Sequence, residues 1–206
     1  MYLIGSENHT SRQNFTKMTI RLSGPWRAGW ALDIHVVAST LRDDGTYDTV
    51  RSALGQQLFE LKYRNVGEHV DALAEAASRF IGTLLVRRYL AALIPVPPSA
   101  PRSFQPVTEV ARAIGEKTGL PVVEDYLLKI KQTQSLKDIF DTTERKAQLA
   151  GAFATADGRF AGKRVLLFDD LFRSGETLSE ITRTLMEEGK VDRVYVLTLT
   201  RTRSLR

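Results

Sequence analysis

The sequence predicts an α/β protein: a parallel sheet with helices on both faces, preceded by a small N-terminal hood. Three observations carry this. From Tyr89 onward apolar runs alternate with helical periods, which is βαβ order. The runs are apolar throughout, as strands covered on both faces are. The chain has 206 residues, 43% of them from the set AVILMFWYC and 26% charged, which supplies the core of about one domain with an appendage.

Residues 1–16 are polar and read as a mobile N-terminal segment. Met18, Ile20 and Leu22 alternate with Thr19, Arg21 and Ser23, which is strand periodicity, until Gly24-Pro25 interrupts it. Leu32, Ile34, Val36 and Ala38 then share one face of a second strand, with Asp33, His35 and Val37 on the other, so the two runs form an antiparallel pair. Val50, Leu54, Leu58 and Leu61 mark an amphipathic helix after Asp48-Thr49, and Val70, Leu73, Ala74, Ala77 and Ile81 mark another. Together these make a hood over residues 17–88. The core, residues 89–206, reads as strand Ala91–Val96, helix Val107–Ile114, strand Leu120–Leu128, strand Val165–Phe168, helix Leu178–Met186 and strand Val194–Leu199. The polar stretch from Lys129 to Phe153 reads as a mobile, partly helical excursion over the sheet.

Composition excludes several functions. There is no cysteine, which removes a disulfide scaffold, a thiolate zinc site and a cysteine nucleophile, and fits a reducing compartment. The longest uncharged run, Tyr89–Pro101, is thirteen residues with four prolines, too short and too broken for a membrane helix of about 20 residues. The start has no basic n-region ahead of its short apolar run, so no signal peptide is expected and the cytoplasm is the default location. The net charge is +5, and from Gly189 onward five basic residues face one acid. That end leaves nucleic acid open as a partner, without a motif to support it.

The informative segment runs from Arg164 to Ser179, RVLLFDDLFRSGETLS. An apolar strand ends at Asp169-Asp170, and Ser174-Gly175-Glu176-Thr177 turns directly into a helix. Ligands of open α/β sheets bind at such a crevice. The first amides of a helix lack intrahelical acceptors, the helix dipole is positive there, and glycine lets the backbone approach an anion. Arg173 adds a full charge, and the hydroxyls of Ser174 and Thr177 add donors, each charge-assisted bond contributing about 1.5–3 kcal/mol. Two neighbouring carboxylates repel and are costly to desolvate, so sugar hydroxyls or a divalent cation are their expected users. A carboxylate pair beside a phosphate seat suits a ribose 5-phosphate. An ordinary polar turn with an N-cap serine needs none of these features together.

This segment resembles the signature of type I phosphoribosyltransferases, and the rest of the core resembles the ComF-like branch of that family without its zinc ribbon. The further residues that carry the likeness are Ile94-Pro-Val-Pro-Pro-Ser99, Ser103-Phe-Gln-Pro-Val107, Lys129 to Leu136, Glu144-Arg145 and Gly151-Ala-Phe153, with Leu61-Lys-Tyr63 a weak upstream echo. The resemblance implies a phosphoribosyltransferase-like sheet. It implies that Asp169 and Asp170 hold the ribose hydroxyls of phosphoribosyl pyrophosphate, and that Arg173, Ser174, Gly175, Glu176 and Thr177 hold the 5-phosphate. Pro98 and Ser99 lie where the family has its pyrophosphate loop, although proline offers no amide.

The reaction so implied displaces pyrophosphate from ribose C1 by a nitrogen nucleophile. Mg2+ is the implied cofactor, met by Asp169 and Asp170 indirectly through ribose or water, and Lys129 or Lys131 on the excursion either closes over the leaving group or belongs to a solvated loop. Arg173 stands where relatives acting on oxopurines carry an acid, and a guanidinium is no base near neutrality, so hypoxanthine-type salvage is disfavoured. Glutamine cannot be the nitrogen source for this chain alone, since relatives that use it need a cysteine. Asp33 with His35 on one strand face either present an acid or base to the acceptor or form an ordinary solvent-facing pair, and Trp26 with Trp30 around a turn either stack on a base or plug the hood. The acceptor itself is unidentified, and homodimerisation is expected from the resemblance alone. The alternative is a non-catalytic protein that binds phosphoribosyl pyrophosphate or a nucleotide as a signal and regulates a partner.

Overall fold

The computed structural model describes residues 19–64, 66–99, 103–131 and 147–203. The expected N-terminal segment, Met18 and the greater part of the excursion, including Glu144 and Arg145, lie outside the described residues.

The chain folds as an α/β protein on a five-stranded sheet. Its strands are β1 (Ile20–Arg21), β2 (Ala28–Ile34), β5 (Leu90–Pro95), β8 (Arg164–Phe172) and β9 (Arg193–Arg201). The order is β1-β2-β9-β8-β5, parallel throughout except that β1 runs antiparallel to β2. A single parallel bridge from Leu93 to Val122 extends it beyond β5. Two antiparallel ribbons stand apart from this sheet. One joins β3 (Val36–Leu41) to β4 (Tyr47–Arg51), the other β6 (Leu127–Lys129) to β7 (Phe153–Thr155).

Helices α1 (Ala53–Tyr63), α2 (His69–Thr83) and α3 (Pro106–Thr118) cover one face of the sheet, and α4 (Glu176–Glu187) covers the other. Their ends follow from local chemistry. Ser52 caps α1 by accepting the Gly55 amide at 3.0 Å. Pro106 opens α3, where its missing N–H costs nothing, and Gly119 at φ +71° closes it. Leu166 and Phe168 of β8 meet Leu58, Leu61, Leu73 and Ile114 on the first face, while Val165 and Leu167 meet Leu178, Ile181 and Leu185 on the second. Each such fully buried side chain contributes about 1.5–3 kcal/mol.

Several expectations are corrected. The β1–β2 pair is antiparallel as expected, but β2 is a strand of the main sheet, parallel to β9 from Ala28↔Tyr195 to Ile34↔Arg201, so the sheet runs across the boundary expected at residue 88. The second strand was expected to reach Ala38 and instead breaks at His35, where β9 runs out and the chain leaves to form β3. Val50 is not on α1: it lies in β4, 56% exposed, because the Asp43-Asp44-Gly45 turn folds this segment back on β3. The strand expected over Leu120–Leu128 is only the Val122 bridge followed by β6. Met186 is exposed on α4 rather than in the core.

Candidate functional site

Because β2, β9, β8 and β5 are parallel, their carboxyl ends gather on one side of the molecule. There β8 carries Asp169 and Asp170 as its sixth and seventh residues. Strand alternation sends them to opposite faces, Asp169 with Val165 and Leu167 toward α4, and Asp170 with Leu166 and Phe168 toward α1. The two acids are therefore neighbours in sequence but not side by side.

Their environments differ accordingly. Asp170 is 7% exposed, and its Oδ2 lies 2.8 Å from the ammonium of Lys62 on α1. Burial by itself would lower the Lys62 pKa, but the charge of Asp170, the hydrogen bond to it and the charge of Asp169 outweigh that, so the ammonium is held above its usual value. Asp169 is half-buried and accepts the Asp170 amide at 2.8 Å. Loss of water, and then the charge of Asp170, push its carboxyl up to about 7, against the opposing pull of that amide and of Lys62.

The turn after β8 opens α4 without a side-chain cap. Phe172 packs edge-on against Trp26, whose indole N–H donates to the Leu22 carbonyl at 3.0 Å. Gly175 sits at φ +87°, and a Cβ there would stand 2.9 Å from the Phe172 ring, so both the conformation and the space call for glycine. The first helical bond runs from the Ser179 amide to the Gly175 carbonyl at 2.8 Å. Among the described residues no side chain caps α4, which leaves the amides of Glu176, Thr177 and Leu178 for an outside acceptor. Arg173 and Ser174 are exposed beside them.

The remaining sequence-derived residues fall in three places. Pro98 and Ser99 are exposed just past β5, in a segment tied to β8 by the Val96 amide and the Phe168 carbonyl at 2.9 Å. Lys131 donates to the Ala150 carbonyl at 2.9 Å, next to Gly151, whose amide donates to Glu180 of α4; the ammonium is engaged along the flank of α4 rather than on the acids. The two tryptophans are core residues: Trp26 as above, and Trp30 stacked on Tyr195 and edge-on to Phe80.

Asp33 and His35 do not act as a pair on one strand face. Asp33 accepts the Ile34 amide at 2.8 Å, whereas His35 follows the end of β2, its Nδ1 3.2 Å from the Thr200 hydroxyl. That hydroxyl in turn donates to the Asp170 carbonyl at 3.4 Å. Burial, then the charges of Arg51, Lys62 and Arg173, hold the imidazole below its ordinary pKa, with Asp170 opposing.

Sequence reasoning missed Lys62 as the partner of Asp170. The signal that pointed to it was the Leu61-Lys62-Tyr63 echo, whose lysine falls on the face of α1 that meets the strand end. Among the described residues no group of three or more His, Cys, Asp or Glu side chains converges to hold a metal, and no helix is long and apolar enough to cross a membrane.

No family model matches the chain. It is similar to the competence protein ComFC of Bacillus subtilis strain 168, at 26% identity over 161 residues that make up 78% of this chain. The chain spans 65% of the length of that relative. The ComF-like resemblance of the sequence is thus met by a curated relative of that name. Among solved structures it is similar to the glutamine phosphoribosylpyrophosphate amidotransferase of B. subtilis, with 18% identity, a TM-score of 0.47 and coverage of 78% of this chain and 35% of that one. It is also similar to the orotate phosphoribosyltransferase of Francisella tularensis, with 16% identity, a TM-score of 0.42 and coverage of 80% of this chain and 78% of that one.

Proposed function

We propose that the protein is a phosphoribosyltransferase: it binds phosphoribosyl pyrophosphate at the end of β8 and transfers ribose 5-phosphate to a nitrogen nucleophile, releasing pyrophosphate. The observation that carries this is the conjunction, on one strand–turn–helix, of a half-buried carboxylate, an uncapped helix start at a left-handed glycine, and an exposed arginine. The 5-phosphate takes the free amides of α4 and the Arg173 charge. Asp169 accepts from the ribose diol, while Asp170, paired with Lys62, holds α1 against the strand end. Developing positive charge at C1 is stabilised by Asp169.

A Mg2+ fits this donor set as a substrate-borne ion: the acids are hard oxygen donors, too few for an all-protein cage, and such an ion takes one or two carboxylates together with phosphates. Asp169 is the residue that would meet it, directly or through water, and the ion would neutralise the leaving pyrophosphate. The chain's own residues orient the sugar and exclude water around it. A second copy of the chain is a further partner proposed on the resemblance alone.

One observation favours a second reading, in which the ligand is bound as a signal and no transfer occurs. Pro97 and Pro98 withhold two amides from the segment that would cradle pyrophosphate. Pyrophosphate release with Mg2+ and a panel of nitrogen acceptors separates the two. A nucleotide product supports the enzyme; saturable binding without turnover on any acceptor supports the sensor. Asp169→Asn is the control of choice, because Asp170→Asn also strips Lys62 of its partner. Absence of calorimetric heat with ribose 5-phosphate or phosphoribosyl pyrophosphate, metal present, overturns both.

A further inference from the structure

Arg51 ends β4 opposite Val36 and directly precedes Ser52, the cap of α1, so it is pinned at the joint where the β3–β4 ribbon meets that helix. Its guanidinium lies 3.8 Å over the Phe59 ring. Its Nε is buried and makes no hydrogen bond, and no carboxylate among the described residues pairs with it. Arg112 has Glu109 and Glu124, Arg159 has Asp125 and Asp157, and Arg183 has Glu180 and Glu187, whereas Arg51, like Arg21 over Trp30 and Arg88 over Tyr89, has a ring. A half-buried guanidinium with no counter-ion among the described residues is costly unless something outside the chain completes it.

What lies beside it is the site. The Gly55 backbone of α1 packs so closely under the His35 carbonyl that a Cβ there would stand 2.2 Å from it. His35 leads through Thr200 to Asp170, and Asp170 to Lys62. Of the three cations that weigh on the His35 ring, Lys62 is committed to Asp170 and Arg173 belongs to the phosphate turn. Arg51 has only the Phe59 ring, with no carboxylate partner among the described residues. Phe59 and Tyr63, rings 5.1 Å apart with Tyr63 59% exposed, form an aromatic wall next to it. The sheet order puts β2 and β5 on opposite flanks of β8 and β9, so this cluster stands across the site from Pro98 and Ser99, away from the leaving group.

We infer that the nitrogen acceptor is a planar aromatic acid whose carboxylate is read by Arg51. This deepens the transferase reading and rests on it. A guanidinium fork matches a carboxylate in two parallel hydrogen bonds, and a flat ring suits the Phe59–Tyr63 wall. In the transfer the acceptor nitrogen's lone pair forms the bond to C1 as the C1–oxygen bond breaks. The bonding pair leaves with pyrophosphate, and any proton on that nitrogen passes to water; nothing is oxidised or reduced.

The test pairs each acid with its neutral analogue: orotate with uracil, nicotinate with nicotinamide, anthranilate with aniline. Pyrophosphate release is followed with Mg2+ and phosphoribosyl pyrophosphate. At least one acid is expected to exceed its analogue in kcat/KM by about 100-fold, and Arg51→Met to erase about 30-fold of that preference through KM, with Arg51→Lys intermediate. Ribose 5-phosphate affinity, read by calorimetry, should stay within about two-fold in both variants. Equal use of the neutral analogues overturns the inference. So does loss of ribose 5-phosphate affinity in the variants, which would place Arg51 in the phosphate seat. If no acceptor turns over, the same acids are titrated into the ribose 5-phosphate complex. Arg51-dependent binding of an acid keeps the acid site and removes the transferase reading, while no binding removes the acid site. A melting curve for each variant confirms that it is folded.

Discussion

Asp169 and Asp170 are adjacent, chemically identical and at the same strand end, yet the fold gives them opposite circumstances. Asp170 faces α1 and is neutralised at 2.8 Å by Lys62. Asp169 faces α4, has no such cation against it, and is pushed up to about 7. The difference teaches that a pair of acids at a strand end need not share one environment: one is a fixed charge balanced by the protein, the other has no cation against it among the described residues. A strand's two-residue period produces that difference without any further device.

The largest effect should come from the balanced side. Lys62→Met strands the buried Asp170 charge and is expected to cost about 3–5 kcal/mol in chemical denaturation, most of it recovered by adding Asp170→Leu. Equal destabilisation of the double variant would break the comparison. On the other side the sign reverses. Folding favours protonated Asp169, so its contribution is fully present below the ordinary carboxylate pKa of 3.8 and is lost as the pH rises through about 7. Asp169→Asn is thus expected to be more stable than the parent by about 2 kcal/mol at pH 8 and equal to it near pH 4, while losing ribose 5-phosphate affinity. A denaturation series across that range reads both. Gly175→Ala, forced to positive φ against the Phe172 ring, should cost about 1–2 kcal/mol and weaken the phosphate seat, leaving the Lys62–Asp170 pair intact. Pro98→Ala restores one amide and should tighten pyrophosphate by about three- to five-fold with little change in stability, as isothermal titration would show. No gain there would mean that this segment does not meet pyrophosphate.

The strand–turn–helix from Arg164 to Glu187 was legible in the sequence because its information is local. A run of buried apolar residues, a glycine at the one left-handed position and an amphipathic helical period all lie within a single unit. Lys62 was not legible as a partner, since its meeting with Asp170 depends on how α1 lies across β8, and no spacing encodes that. The β3–β4 ribbon was misread for another reason. Most of its residues face solvent, so periodicity is a poor guide, and the Asp43-Asp44-Gly45 turn was the better signal. His35 was placed on a strand because the alternation of Leu32 to Ala38 continues through it. The backbone departs there because β9 offers no further residues to pair with.

That β2 lies alongside β9 has a consequence for how the molecule is made. Tyr195 to Arg201 would be a bare, strongly apolar border if the amino-terminal strand were cut away, the kind of unpaired row of amides and carbonyls on which chains stick to one another. The strand that seals it is among the first described residues and its mate among the last, so the sheet closes only after a long loop of chain has been gathered in, a slow step by polymer statistics. A fragment starting at residue 89 should therefore precipitate rather than fold, and the amino-terminal strand supplied as a separate peptide should rescue it.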